Sequence, residues 1–163
     1  MKKKSNIIFL DIDGVINPLC NYNCTYNVFG ESFPSVFWIE FKNFVFLKRI
    51  IKDTNAKVVI SSSWRADKPY LEIILELFYN NRIDVIGTTP CFGKKNERYK
   101  EIKQWLEDNK SNYNIEKFLI IDDQKDAGIG FEDNFYQTDG STGITEECSV
   151  KIIDYFKKEK DND

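Results

Sequence analysis

Ile7-Ile8-Phe9-Leu10 is a continuous apolar run stopped by Asp11, the pattern of a strand buried on both faces. Val58-Val59-Ile60, ended by Ser61, predicts a second strand, and Phe118-Leu119-Ile120-Ile121, ended by Asp122, predicts another. Ile83 to Ile86, closed by Gly87, is a weaker run between those two, and Phe135-Tyr136 is a short last one. Between the runs the apolar spacing changes to that of helices. Phe37, Phe41, Phe44, Leu47 and Ile51 step by four, three, three and four, so they form one stripe. Leu71, Ile74, Leu75 and Phe78 form a second stripe, and Ile102, Trp105 and Leu106 a third. Thr145 suits an N-cap with Glu146 and Glu147 in the first turn, followed by Cys148, Ile152 and Phe156.

Strands alternating with helices predict a parallel sheet covered on both faces by right-handed crossovers. In such sheets ligands bind beyond the carboxyl ends of the strands. Asp11, Ser61 and Asp122 stand at three of those ends and are expected to converge. In Asp11-Ile12-Asp13-Gly14, residues two apart on extended chain point the same way, so both carboxylates approach one site while Ile12 packs away. Gly14 permits a sharp turn there. Asp122-Asp123 adds two more carboxylates, and four at neighbouring strand ends repel unless a cation sits among them. Mg²⁺ is the hard, oxygen-seeking ion that suits this set. In Ser61-Ser62-Ser63-Trp64-Arg65, hydroxyls and backbone N–H groups offer a phosphate cradle, with Arg65 as a bidentate grip. Arg98, another of only four arginines, lies just before a predicted helix and supplies a counter-charge; Lys94, Lys95 and Lys100 are its rivals.

Composition narrows the chemistry. The 163 residues contain no histidine, which excludes a Ser-His-Asp triad, a Cys-His pair, a histidine base and a His-ligated metal site within the chain. Acid–base work falls to carboxylates, Lys, Tyr or Cys. A net charge of −3 argues against a broad face for holding long duplexes, although it leaves room for gripping one phosphate. The four cysteines lack paired short spacings and read as reduced thiols. No apolar stretch is long enough for a membrane span, and Ile7–Leu10 is too short for a signal peptide. A cytoplasmic location is expected. No repeat or linker divides the chain, so 1–163 is read as one domain with its core at about 7–158.

The ordered set of Asp-x-Asp-Gly, serine after a second strand, a basic residue before a helix, and Asp-Asp after another strand resembles the haloacid dehalogenase (HAD) superfamily, in its phosphatase branch. Arg98-x-x-Glu101-Ile102-x-x-Trp105-Leu106 and Thr138-Asp139-x-x-Thr142-Gly143-Ile144-Thr145 are similar to HAD domains of Swiss Army Knife RNA repair proteins. The resemblance implies an α/β, Rossmann-like three-layer sandwich with a central parallel sheet of about five strands and no separate cap domain. It implies Asp11 as nucleophile and metal ligand, and Asp13 as general acid–base, its backbone carbonyl on Mg²⁺. Ser61 and Ser62 would bind phosphate, Arg98 would neutralise charge, and Asp122 with Asp123 would complete the metal site. Residues 17–35, with Asn17, Cys20, Tyr22, Cys24, Tyr26 and Phe33, stand where the family places a flap, within a segment of about 14–35. An open site of this kind favours phosphates on nucleic-acid ends, with small esters or phosphoproteins as alternatives. No stable duplex binding is expected from the net charge, and any partnership with the kinase or ligase modules of the repair proteins it resembles would be in trans. The competing reading is a HAD-like binding module without turnover.

Overall fold

A computed structural model describes residues 4–19, 27–28, 38–93 and 97–158. Cys20, Tyr22, Cys24, Tyr26, Phe33, Phe37, Lys94 and Lys95 fall outside these residues. Five strands form one fully parallel sheet: β1 (Lys4–Leu10), β2 (Lys57–Ile60), β3 (Val85–Thr88), β4 (Asn114–Asp122) and β5 (Phe135–Gln137), in the spatial order β3-β2-β1-β4-β5. The helices are α1 (Phe41–Thr54), α2 (Lys68–Asn80), α3 (Arg98–Asn109) and α4 (Glu146–Lys157).

The strands are apolar on both sides because both sides are covered. Along β1, Ile8 and Leu10 join a large core with Leu47 and Ile50 of α1, Ile74 and Phe78 of α2, and Ile152 and Phe156 of α4. Ile7 and Phe9 face the other way, onto Ile102 and Trp105 of α3. Phe9 meets the Trp105 ring edge-on, with centroids 5.3 Å apart. The sandwich is therefore lopsided, with three helices on one face and α3 on the other.

Three local expectations are corrected. The buried face of α1 runs through Asn43, Phe44, Leu47, Ile50 and Thr54, leaving Phe41 53% exposed. Asn43 explains the rotation: its Nδ2 donates to the carbonyls of Thr142 (2.7 Å) and Ile144 (3.0 Å), and this polar anchor replaces an apolar contact. On α2, Leu77 is buried where Leu75 was expected. The third strand starts at Val85 and runs through Gly87, because Ile83 N–H is still bonded to Phe78 O and its side chain is buried in the core. At α4 the Thr145 hydroxyl accepts from Cys148 N–H, as the cap pattern predicts.

The strand order positions the site. After β1 the chain builds outward through β2 and β3, then returns to place β4 on the opposite side of β1. The turning point lies between the carboxyl ends of β1 and β4, the place where such sheets leave a crevice. Asp11 follows β1 directly and Asp122 ends β4.

Candidate functional site

Asp11 N–H donates to Ile121 O (3.0 Å), so the chain leaving β1 stays paired to β4 for one more residue. The turn after it is tightly closed. Val15, Ile16 and Asn17 N–H groups all bond to Ile12 O, and Gly14 N–H donates to Asn17 O at 2.7 Å. Gly14 has φ +71°, and a Cβ there would lie 2.5 Å from Asp123 Cγ, so only glycine lets the two loops meet. Ile12 is fully buried.

One oxygen each from Asp11, Asp122 and Asp123 falls within 4.8 Å of the others. Arg98, at the first turn of α3, reaches in with Nη1 3.2 Å from Asp11 Oδ1 and 3.5 Å from Asp122 Oδ2. Lys100 instead faces Glu97 at 2.8 Å on the surface. Asp11 Oδ1 also accepts from Ile12 N–H (2.8 Å), and Ser62 hydrogen-bonds the same carboxyl group. Asp122 Oδ1 accepts from Gln124 N–H (2.8 Å), and Gln124 Nε2 donates to Asp123 Oδ2 (2.6 Å).

Burial sets the electrostatics. It pushes the Asp11 carboxyl up, against the lowering by Arg98, Ser62 and Ile12 N–H. Asp122 is pushed up to about 8, first by burial and then by the neighbouring Asp11 charge, with Arg98 pulling the other way. Burial also opposes the Arg98 charge, but Asp11 and Asp122 outweigh it and its pKa is raised. One guanidinium does not balance three carboxylates. Among the described residues, buried Asp122 Oδ2 accepts no hydrogen bond and has Arg98 as its ion-pair partner. An orphan oxygen, crowded carboxylates and an all-oxygen donor set together fit Mg²⁺.

Asp13 takes a separate place. Its Oδ1 accepts from Asn17 Nδ2 (2.6 Å) and its Oδ2 from Trp64 Nε1 (3.0 Å), and its carboxylate is not among the three clustered ones. The Asp-x-Asp spacing thus brings two carboxylates to one edge with different partners. Ser61 follows β2, its N–H bonded to Leu10 O (2.8 Å) and its Oγ buried without a hydrogen bond among the described residues. Ser62 caps a short 3-10 turn, Ser63–Ala66.

Arg65 departs from its expected grip on phosphate. Its Nε donates to Thr89 O (3.0 Å), Nη1 to Ser62 O, and Nη2 to Pro90 O (3.1 Å) and the Glu101 carboxylate. With its side chain 4% exposed and four N–H groups committed, it braces the loops after β2 and β3 against α3. Glu101 Oε1 completes the brace by accepting Phe92 N–H at 2.8 Å.

Several residues that stood in the sequence patterns without a role acquire one here. Trp64 and Asn17 hold Asp13, and Glu101 holds Arg65. Thr138 Oγ1 donates to Gly14 O (2.8 Å), and Ile144 N–H donates to Val15 O (2.8 Å). The segment 138–145 is thus a buttress behind the Asp-x-Asp-Gly turn. Gly143, at φ +65°, lies so close that a Cβ would meet Val15 O at 2.3 Å. Its sequence signal was the Thr-Asp-x-x-Thr-Gly-Ile-Thr pattern, visible as a motif but without a partner. Cys91 and Cys148 are free thiols, Cys91 exposed. No helix among the described residues is long and apolar enough to cross a membrane.

A family model described as the HAD domain in Swiss Army Knife RNA repair proteins matches residues 7–148. No curated protein and no solved structure gives a match.

Proposed function

From the chain's membership of this family of HAD domains, a phosphohydrolase-type superfamily, we propose that it is a Mg²⁺-dependent phosphatase working through an aspartyl-phosphate on Asp11. The observation that carries this is the cluster of Asp11, Asp122, Asp123 and Arg98 at the crevice between β1 and β4. Asp11, Asp122 and Asp123 would hold the ion, with the Asp13 carbonyl as the further ligand the family pattern implies. Bound Mg²⁺ would neutralise the carboxylates and stabilise charge on the transferring phosphoryl group.

The chain's own groups divide the remaining work. The Asp11 carboxylate attacks phosphorus; an O–P bond forms as the bond to the leaving alcohol breaks. Protonated Asp13 passes its proton to the departing oxygen. It then takes a proton from the water that attacks the aspartyl-phosphate, releasing inorganic phosphate and restoring both carboxyl groups. Arg98, at its 3.2 Å contact, favours the ionised form of Asp11 against the effect of burial and faces the phosphoryl oxygens, while Ser61 Oγ and Ser62 donate to them. Trp64 and Asn17 fix the direction in which Asp13 presents its proton.

The phosphate of a nucleic-acid end is the substrate class we favour. The family's RNA repair context supports it. So does the span between β1 and α1, residues 11–40, shorter than the roughly 40 residues below which a domain rarely folds alone.

Release of phosphate from phenyl phosphate, with and without Mg²⁺, tests the reaction. Turnover is expected to require the ion and to fall by at least about 10³-fold in Asp11→Asn. Equal turnover in EDTA, or an active Asp11→Asn protein, overturns the mechanism. Oligonucleotides ending in 3′- or 5′-phosphate, compared with small esters, test the substrate: far better turnover of the small esters removes the nucleic-acid reading.

A further inference from the structure

Beside Asp13 lies an open cavity of about 280 Å³, lined by Asp13, Ser63, Trp64, Asp67 and Tyr70. The carboxylate assigned as general acid forms one wall. Whatever alcohol receives its proton must sit within hydrogen-bond reach of it, so this cavity adjoins the departing oxygen. Two of the lining residues are aromatic. The Trp64 and Tyr70 rings meet edge-on at 5.0 Å with an interplanar angle of 76°, and Trp64 is anchored to Asp13 through its indole N–H. The rim is acidic. Asp67 precedes α2 without capping it through its side chain, and it is exposed. The neighbouring Lys68 ammonium is turned to Glu72 at 3.5 Å. The described lining residues include no lysine or arginine.

These walls select by ring and by charge. A ring gains contact with Tyr70 and Trp64 that a small aliphatic group cannot make. The Asp67 carboxylate, with no cation among the described lining residues to offset it, repels an anionic group, while amino and hydroxyl donors find acceptors in Asp67 and Ser63. Resting on the phosphatase reading above, we propose that this cavity is the subsite for the leaving alcohol, and that it takes a ring-bearing alcohol of neutral or positive charge, a nucleoside being one kind. On a nucleic-acid end, the terminal sugar and base enter the cavity and the next phosphodiester stays outside it.

Four substrates test it: methyl phosphate, phenyl phosphate, and phenyl phosphates bearing a 4-carboxylate or a 4-aminomethyl group. Each is measured with the Mg²⁺-loaded parent, Tyr70→Leu and Asp67→Asn proteins, and selectivity is compared between proteins so that leaving-group reactivity cancels. Tyr70→Leu is expected to reduce the phenyl-over-methyl preference in kcat/KM about fivefold, the scale of a lost ring contact. Asp67→Asn is expected to shrink the aminomethyl-over-carboxylate preference about two- to fivefold, the scale of one exposed charge. Preferences that stay the same in both variants overturn the subsite while leaving the phosphatase intact. If the parent turns over none of the four, the phosphatase reading fails, and titration calorimetry with phenyl and methyl phosphate still decides the cavity. Tighter binding of phenyl phosphate, lost in Tyr70→Leu, supports the subsite; equal affinities, or a preference unchanged in the variant, overturn it.

Discussion

At Gly14 one missing side chain carries much of the site. Its left-handed φ of +71° and the 2.5 Å separation of a hypothetical Cβ from Asp123 Cγ mean that any larger residue pushes Asp123 out of the cluster. Gly14→Ala is therefore expected to weaken Mg²⁺ binding at least about tenfold, through lost ligand geometry as well as backbone strain. Calorimetric titration of the ion into both proteins reads this directly; equal affinities would show that Asp123 is not held where the site needs it. The carboxylates that cluster were legible at this scale because carboxylates directly after apolar strands are unusual and their spacing is regular. Arg65 shows the converse. Rarity and position made it look like a phosphate ligand, but a guanidinium with four acceptors in the chain has little left to offer a substrate. Those acceptors are mostly backbone carbonyls, which a sequence does not display.

Among elements, the brace from Arg65 to Glu101 joins β2, β3 and α3, and Arg98 stands one helical turn before Glu101. In Arg65→Met the buried Glu101 carboxylate keeps the Phe92 N–H but loses its cationic partner. Removing one member of a buried pair costs about 3–5 kcal/mol. For a chain of this size that lowers Tm on the order of 10 °C. We expect the stranded Glu101 to draw Arg98 away from Asp11, so turnover falls too. Arg65→Met with Glu101→Leu removes that competitor and is expected to recover much of the turnover, but only part of the Tm, because the carbonyls of Ser62, Thr89 and Pro90 remain without their donor. A double variant no more active than Arg65→Met would show that the brace does not act through Arg98. Strand and helix order were readable from periodicity. The edges of the buried faces of α1 and α2 and the start of β3 were not, since Asn43, Leu77 and Ile83 are set by which neighbour they meet.

Across the whole molecule, the lopsided sandwich buries a charged cluster at its switch point, and folding must bear that cost. Asp122 has its pKa raised from 3.8 to about 8 in the folded, metal-free chain, so the folded state binds more protons than the unfolded state between those values. Stability is then greatest at low pH by this contribution, declines as pH rises from about 4, and has lost the contribution above about 8. Asp11 shifts in the same direction. A thermal-unfolding series without metal should show Tm falling between pH 6 and pH 8 in the parent and falling less in Asp122→Asn. Mg²⁺ should raise Tm more at pH 8 than at pH 6, because the ion competes with protons for the same oxygens. A Mg²⁺ effect independent of pH would place the ion elsewhere. The overall topology was open to reading from the alternation of runs and stripes. The lopsided covering of the sheet was not, because periodicity shows that a helix has an apolar face but not which side of the sheet receives it.

The account turns on a covalent bond to Asp11. Mg²⁺-loaded protein mixed with a phosphate ester, quenched in acid and treated with borohydride should contain homoserine at position 11, found by peptide mass spectrometry and absent when substrate or Mg²⁺ is omitted. Turnover with the Asp11 side chain unmodified throughout, or homoserine formed at Asp13 or Asp122 instead, would contradict it.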